Sequence, residues 1–184
     1  MFHHTTVPPV APELAGVPGV RVVHAAFADL DAIMDVEQRA YPIPWTRLNF
    51  ADILAHPAQY AIQLLWDERL PDAPPSLIGY FVVMQGVQEA HLLNIAVHPD
   101  YQGQGWSVFL LRQLCYWALW HQARQVWLEV RTSNPHAHRV YERFGFRAVG
   151  RRKNYYPAVG GGREDAIVMC CMLDAPSDSS LDGC

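Results

Sequence analysis

The run NIAVHPDYQGQGWS, residues 94–107, sets Gly103 and Gly105 between an apolar stretch ending at Val97 and a helical stretch rich in Trp and Leu. Glycines there let the backbone approach a ligand closely, with successive N–H groups aimed at one point. The free N–H groups and dipole of a helix start favour a pyrophosphate. A plain tight turn accounts for the glycines equally well. Two other glycine motifs are excluded. The third glycine of a dinucleotide fingerprint would fall at Val108, and no Lys-Ser/Thr pair follows as in a P-loop.

A second group of residues sits in VWLEVRTSNPHAHRVYERFGF, residues 126–146. Strand alternation puts Val126, Leu128 and Val130 on one face and Trp127, Glu129 and Arg131 on the other. A carboxylate in mid-strand is either half of an ion pair, here with Arg131, or a functional acid. Asn134 fits a helix N-cap with Pro135 at the first helical position. Tyr141 lies seven residues on, two helical turns, and so returns to the face of Asn134. By itself it reads as a half-buried aromatic with a satisfied hydroxyl.

These groups need elements to hold them. Val20–Ala25 reads as a strand, and Asp29 as the N-cap of a helix to about Ala40, with Leu30, Ile33, Met34 and Glu37 at helical spacing. Pro42 and Pro44 break that helix. Thr46 caps a second helix ending near His56 and Pro57. Strands follow at Tyr60–Trp66, Leu77–Gln85 and Glu89–Val97, then a helix from about Gly105 to Ala123. Val126–Arg131 is a strand, the next helix runs to about Arg143, and Gly145 ends it. Phe146–Lys153 and Asp165–Leu173 form a last strand pair, joined by a loop containing YYPAVGGG. The order β-α-α-β-β-β-α-β-α-β-β predicts an α/β (α+β) domain with a mixed, mostly antiparallel central sheet flanked by helices. The central β-α-β crossover predicts parallel strands at 89–97 and 126–131. Residues 1–19 are expected to be a flexible arm, 20–173 one domain, and 174–184 a flexible tail.

Composition narrows the class. The chain is 51% apolar, enough for a core, and its net charge of −4 argues against nucleic-acid binding by bulk charge. Arg151, Arg152 and Lys153 form a local basic cluster. No apolar run reaches the length of a membrane helix, and the N-terminus lacks the pattern of a secretory signal. Cys115, Cys170, Cys171 and Cys184 show no paired spacing, so reduced thiols in a cytoplasmic protein are expected. Cys115, among Leu111, Leu114, Ala118 and Leu119, reads as an inert core thiol rather than a nucleophile. His136 and His138 point to nearly opposite sides of a helix, and His3 and His4 lie in the arm, so no metal site is expected. Oligomeric state is not legible, and a monomer is the default.

Gln102-x-x-Gly105-x-Ser107, after a strand and before a helix, resembles the coenzyme-A loop of the GNAT N-acetyltransferases, Gln/Arg-x-x-Gly-x-Gly/Ala. More specific runs, VEQRAYPIPWT, WLEVRTSN, VYERFGF, NYYP and GREDAI, resemble a narrower family, the RimI-type acetyltransferases of a ribosomal-protein N-terminal alanine. The resemblance spans roughly residues 21–173. It implies acetyl-CoA as cosubstrate, with no metal, and a ribosomal-protein N-terminus as acceptor. It implies Glu129 as general base and Tyr141 as general acid. It places the pantetheine on the backbone of Ile95, Ala96 and Val97, and the pyrophosphate on Gly103, Gln104, Gly105, Trp106, Ser107 and Val108, with Asn134 also touching the coenzyme. Tyr41 and Trp45 from one loop, and Tyr155 and Tyr156 from another, would flank the acceptor. Ser107 replaces the usual Gly or Ala, and Gly103 and Val108 stand where relatives often carry arginines. Phosphate binding would then rest mostly on backbone amides. Two other readings stay open: a GNAT enzyme for a small amine or a lysine side chain, and a non-catalytic acyl-CoA-binding module.

Overall fold

A computed structural model of the chain describes residues 17–70 and 72–173. Most of the expected arm and all of the expected tail, with His3, His4 and Cys184, lie outside the described residues. The elements are β1 (Val20–His24), α1 (Leu30–Ala40), α2 (Arg47–Leu54), β2 (Tyr60–Asp67), β3 (Ser76–Gln85), β4 (Glu89–Val97), α3 (Trp106–Trp120), β5 (Gln125–Arg131), α4 (Pro135–Phe144), β6 (Arg147–Pro157) and β7 (Arg163–Met172). Their order is the one the sequence predicts. Among the described residues they form a seven-stranded sheet in the order β1-β2-β3-β4-β5-β7-β6. All neighbours are antiparallel except β4 and β5, which run parallel as the crossover requires.

Two cores sandwich the sheet. Leu30, Ile33 and Val36 of α1 and Phe50 of α2 pack with Leu64, Tyr80, Val82 and Ala96. Leu110, Leu111, Leu114 and Trp117 of α3 pack with Leu65, Phe81, Val83 and Leu128 on the other face. β3 is therefore buried on both sides along nearly its whole length. Gly79 of β3 leaves room for α3. A Cβ there would lie 2.3 Å from the Ala96 carbonyl oxygen and 3.2 Å from the Leu110 side chain.

Local signals act as expected with two differences. Thr46 caps α2, its side chain accepting from the Asn49 N–H. Asn134 caps α4, accepting from the Ala137 N–H at 3.0 Å. Asp29 sits at the N-cap of α1, but its carboxylate accepts the Ala26 N–H at 2.8 Å and closes a 3-10 turn over Phe27–Asp29. The last hairpin is longer than predicted. Tyr155, Tyr156 and Pro157 belong to β6, because the ladder resumes at Tyr156 and Glu164 after an irregularity beyond Arg152. Asn154 turns the strand there with φ of 50°.

One feature of the sheet matters most for function. The β4–β5 ladder runs only from Glu89 and Gln125 to Leu92 and Leu128. Past that point β4 stays with β3, through Val97 opposite Gly79, and β5 stays with β7, through Arg131 opposite Ala166. A bulge at Leu93, between the Val83–Leu92 and Val82–Asn94 pairs, bends β4 where the strands part. The sheet is forked, and the fork leaves polar backbone without a ladder partner.

Candidate active site

The fork opens into a cleft of about 380 Å³. Ile95, Ala96 and Val97 of β4 form one wall, and Glu129 of β5 with Asn134 and Tyr141 the other. Gly103 reaches it from the glycine turn, Ser107 from the first turn of α3, Tyr41 and Trp45 from the α1–α2 loop, and Tyr156 from β6. Gln104, Gly105, Trp106, Val108 and Tyr155 do not line it. The Trp106 side chain is buried in the α3 core, and Gln104 bonds back to the Asp100 carbonyl.

The β4 wall is an unpaired strand edge. The His98 N–H donates to the Ile78 carbonyl at 2.8 Å, which fixes the ladder's alternation. Ile95 and Val97 then turn both their N–H and C=O away from β3 and toward the cleft. Gln102 donates to the Val97 carbonyl at 3.1 Å and ties the turn to the strand end. Gly103 and Gly105 adopt φ of 75° and 89°, and a Cβ at either would meet nothing within 4 Å. Backbone angle, not crowding, requires glycine at both positions. Gly105 is the N-cap of α3 and supplies no side-chain cap, so among the described residues the Trp106 and Ser107 N–H groups remain available, while the Val108 N–H already donates to the Gly105 carbonyl at 3.0 Å.

Three tyrosines meet at the fork. The Tyr41 hydroxyl donates to the Ile95 carbonyl, and the Tyr156 hydroxyl donates to the Glu129 carbonyl at 3.0 Å. Both carbonyls lie beyond the last paired residues of β4 and β5, so each tyrosine satisfies an acceptor that the fork exposes. Among the described residues the Tyr141 hydroxyl makes no hydrogen bond, and its ring rests edge-on against Phe146 at 5.8 Å. Burial pushes the Tyr141 phenol up to about 12. Burial raises Tyr156 further, helped by the Glu129 charge.

Glu129 does not pair with Arg131. Its partner is Arg152 of β6, at 3.2 Å. Arg131 is held by the hairpin instead, donating to Glu164 and to the Pro157 carbonyl, both at 2.7 Å, beneath the Tyr156 ring. Partners across the sheet win instead, Glu164 on the adjacent β7 for Arg131 and Arg152 on β6, two strands over, for Glu129. The basic cluster is partly neutralised in the same way, with Arg151 on Asp165 at 2.8 Å.

Sequence reasoning assigned no role to Glu37 and Asn94, yet both border the cleft. Glu37 is 1% exposed and accepts from the Trp45 N–H at 2.6 Å, from the Tyr80 hydroxyl and from Asn94 Nδ2 at 3.2 Å. Burial raises its pKa, while the bonds from Tyr80, Trp45 and Asn94 act in the opposite direction. The available signal was a charged residue in register with the apolar face of α1. His136, considered only as a metal ligand, also borders the cleft.

A mixed sheet forked beside a glycine turn, with a strand edge facing the opening, defines an acyl-transfer scaffold, and comparison with known proteins gives its family. The family model described as Acetyltransferase (GNAT) family matches residues 30–146, and the chain belongs to that family. The [ribosomal protein bS18]-alanine N-acetyltransferase of Haemophilus influenzae is 37% identical over 145 residues, 79% of this chain and 93% of that protein. Its counterpart in Escherichia coli K12 is 39% identical over 142 residues, 77% of this chain and 89% of that protein. The crystal structure of the Escherichia coli ribosomal-protein-S18-alanine N-acetyltransferase superposes with a TM-score of 0.73 at 33% identity, covering 87% of this chain and 97% of that one.

Proposed function

We propose that this enzyme acetylates the N-terminal alanine of ribosomal protein bS18 in the cytoplasm, with acetyl-CoA as cosubstrate. The reading rests on one observation above all: the free Tyr141 hydroxyl and the Glu129 carboxylate border the same cleft as the unpaired β4 edge. The names and identities of the relatives support the acceptor.

The residues present fit acetyl-CoA. Ile95 and Val97 offer an extended amide chain their N–H groups, and the second lone pair of carbonyls that already accept from Tyr41 and Gln102. Gly103, Gly105 and the uncapped start of α3 offer N–H groups to phosphate. Asn134 keeps its amide Nδ2 for the ligand while its oxygen caps α4. When bound, acetyl-CoA supplies the activated acetyl thioester.

Glu129 takes the proton that a free α-amine, with a pKa near ~8, carries at neutral pH. The freed amine attacks the acetyl carbon. The Val97 N–H faces the cleft as a donor for the charge that develops on the acyl oxygen. Tyr141, neutral with its pKa up at about 12, gives its proton to the departing thiolate, and the second proton that the nitrogen loses as the amide forms restores the phenol, leaving the first on Glu129 to pass to solvent. No covalent enzyme intermediate is needed. Tyr41, Trp45 and Tyr156 bound the space left for the acceptor, and Tyr155 stacks edge-on against Tyr156 at 4.9 Å.

The test is coenzyme-A release from acetyl-CoA with two peptides. One carries a free N-terminal alanine; the other is N-terminally blocked and carries lysine. Turnover with the first alone is expected. Turnover with the blocked peptide would move the acceptor to lysine, and turnover with neither would reject both acceptors. Glu129→Gln should lower kcat by about 10²–10⁴-fold while acetyl-CoA binding, read by calorimetry, persists.

A further inference from the structure

We propose that Glu37 is a positioning residue that sets acceptor selectivity by pinning the α1–α2 loop to the fork. The inference rests on the acceptor reading above and deepens it.

A carboxylate at a core position of α1 is costly, because burial removes its water. An aliphatic side chain would suit the register of Leu30, Ile33 and Val36. The structure offsets the cost with three donors, and each comes from a different segment around the cleft. Trp45 donates through its backbone N–H, from the loop that Pro42 and Pro44 force out of helix. Asn94 donates from β4, one residue before the cleft-facing Ile95. Tyr80 donates from β3 behind it. One carboxylate thus joins helix, loop and both strands.

The loop has a second anchor. The Tyr41 hydroxyl bonds the Ile95 carbonyl, so the segment from Tyr41 to Trp45 is held at both ends against the fork. Tyr41, Ile43 and Trp45 all border the cleft. Their distance from β4 sets the room for the side chain of the acceptor's first residue. Glu37 touches no reacting atom. It fixes the width of that space through the loop. A loop free to move outward would admit larger first residues.

Glu37→Gln keeps the shape of the side chain but removes its charge and turns one acceptor oxygen into an NH₂, which must face either the Trp45 N–H or the Tyr80 hydroxyl and Asn94 NH₂, and leaves only a weaker neutral acceptor for the rest. The experiment compares kcat/KM for two peptides that differ only in an N-terminal alanine or leucine, in wild type and variant. The alanine preference is expected to fall about tenfold or more, as the leucine peptide gains relative to alanine. The acetyl-CoA KM should change far less than the peptide KM. An equal proportional loss for both peptides, the signature of a merely structural role, would overturn the proposal. Hydrogen exchange provides a reading that needs no acceptor. The Trp45 amide should exchange faster in Glu37→Gln, and unchanged exchange would overturn the pinning. If wild type turns over neither peptide, the acceptor reading fails, and the exchange experiment still decides the role of Glu37. Should Glu37→Gln not fold, Tyr80→Phe removes one donor with little change of shape. A smaller shift in both readouts in the same direction is then expected, and no shift in either would overturn the proposal.

Discussion

Among the described residues, Tyr141 differs from its two neighbours in having nothing to bond. Tyr41 and Tyr156 spend their hydroxyl protons on the exposed carbonyls of Ile95 and Glu129, whereas the Tyr141 proton is unengaged. Tyr141→Phe is expected to lower kcat by about 10²-fold or more with acetyl-CoA affinity kept, measured by steady-state kinetics beside calorimetry. The sign of the pH dependence follows from its raised pKa. A donor must be protonated, and burial holds the phenol up to about 12. The rate should climb as the acceptor amine deprotonates through about pH 8 and show no descending limb from Tyr141 up to about pH 10. Cys115 follows the same reasoning to the opposite end. Burial raises its thiol to about 12, so almost no thiolate forms at moderately alkaline pH. Iodoacetamide at about pH 8 should leave Cys115 unmodified in the folded enzyme, as read by peptide mass, and label it after denaturation.

At the scale of elements, the fork and the close seat of α3 decide the geometry. Gly79 seats α3 close to β3, since a Cβ there would lie 3.2 Å from the Leu110 side chain. A Cβ would press on the Ala96 backbone, which belongs to the cleft wall, so the crowding cannot be relieved by turning a side chain. Gly79→Ala is expected to cost about 1–3 kcal/mol in urea denaturation and to raise the acetyl-CoA KM, because the β4 edge must shift. The fork itself arises from competition between ladders. β4 has β3 for a partner from Ala90 to Val97 apart from the bulge, β5 has β7, and only their first residues are paired with each other. The bulge at Leu93 ends that pairing and leaves amides to be satisfied by tyrosines and by ligand.

At the scale of the molecule, the sheet separates two cores. Tyr41 and Tyr80 on the α1 side and Tyr141 and Tyr156 around the cleft all have pKa values raised above 10.0, chiefly by burial. The folded chain therefore holds these protons more tightly than the unfolded chain. Stability is fully present below about pH 10, the unfolded value, and is lost as pH rises through the folded values. The urea midpoint should stay level toward about pH 9 and drop steeply above about pH 10. A midpoint that is flat beyond that range would show that these hydroxyls reach water.

The sequence by itself determined the element order, the parallel crossover and the helix caps. Those depend on periodicity, prolines and side chains a few residues apart, such as Thr46 with Asn49 and Asn134 with Ala137. It also drew attention to Glu129, as a carboxylate in mid-strand, and to Asn134, as a cap, while the candidate roles of all three, Tyr141 included, came from the resemblance of the surrounding runs. The tertiary structure decided where the β4–β5 ladder stops, that Glu129 faces Arg152 rather than Arg131, and that Glu37 gathers Trp45, Tyr80 and Asn94 around one buried carboxylate. These are contacts between residues as much as 57 positions apart. No local pattern encodes them, because each is the outcome of several strands and a loop competing for the same donors and acceptors.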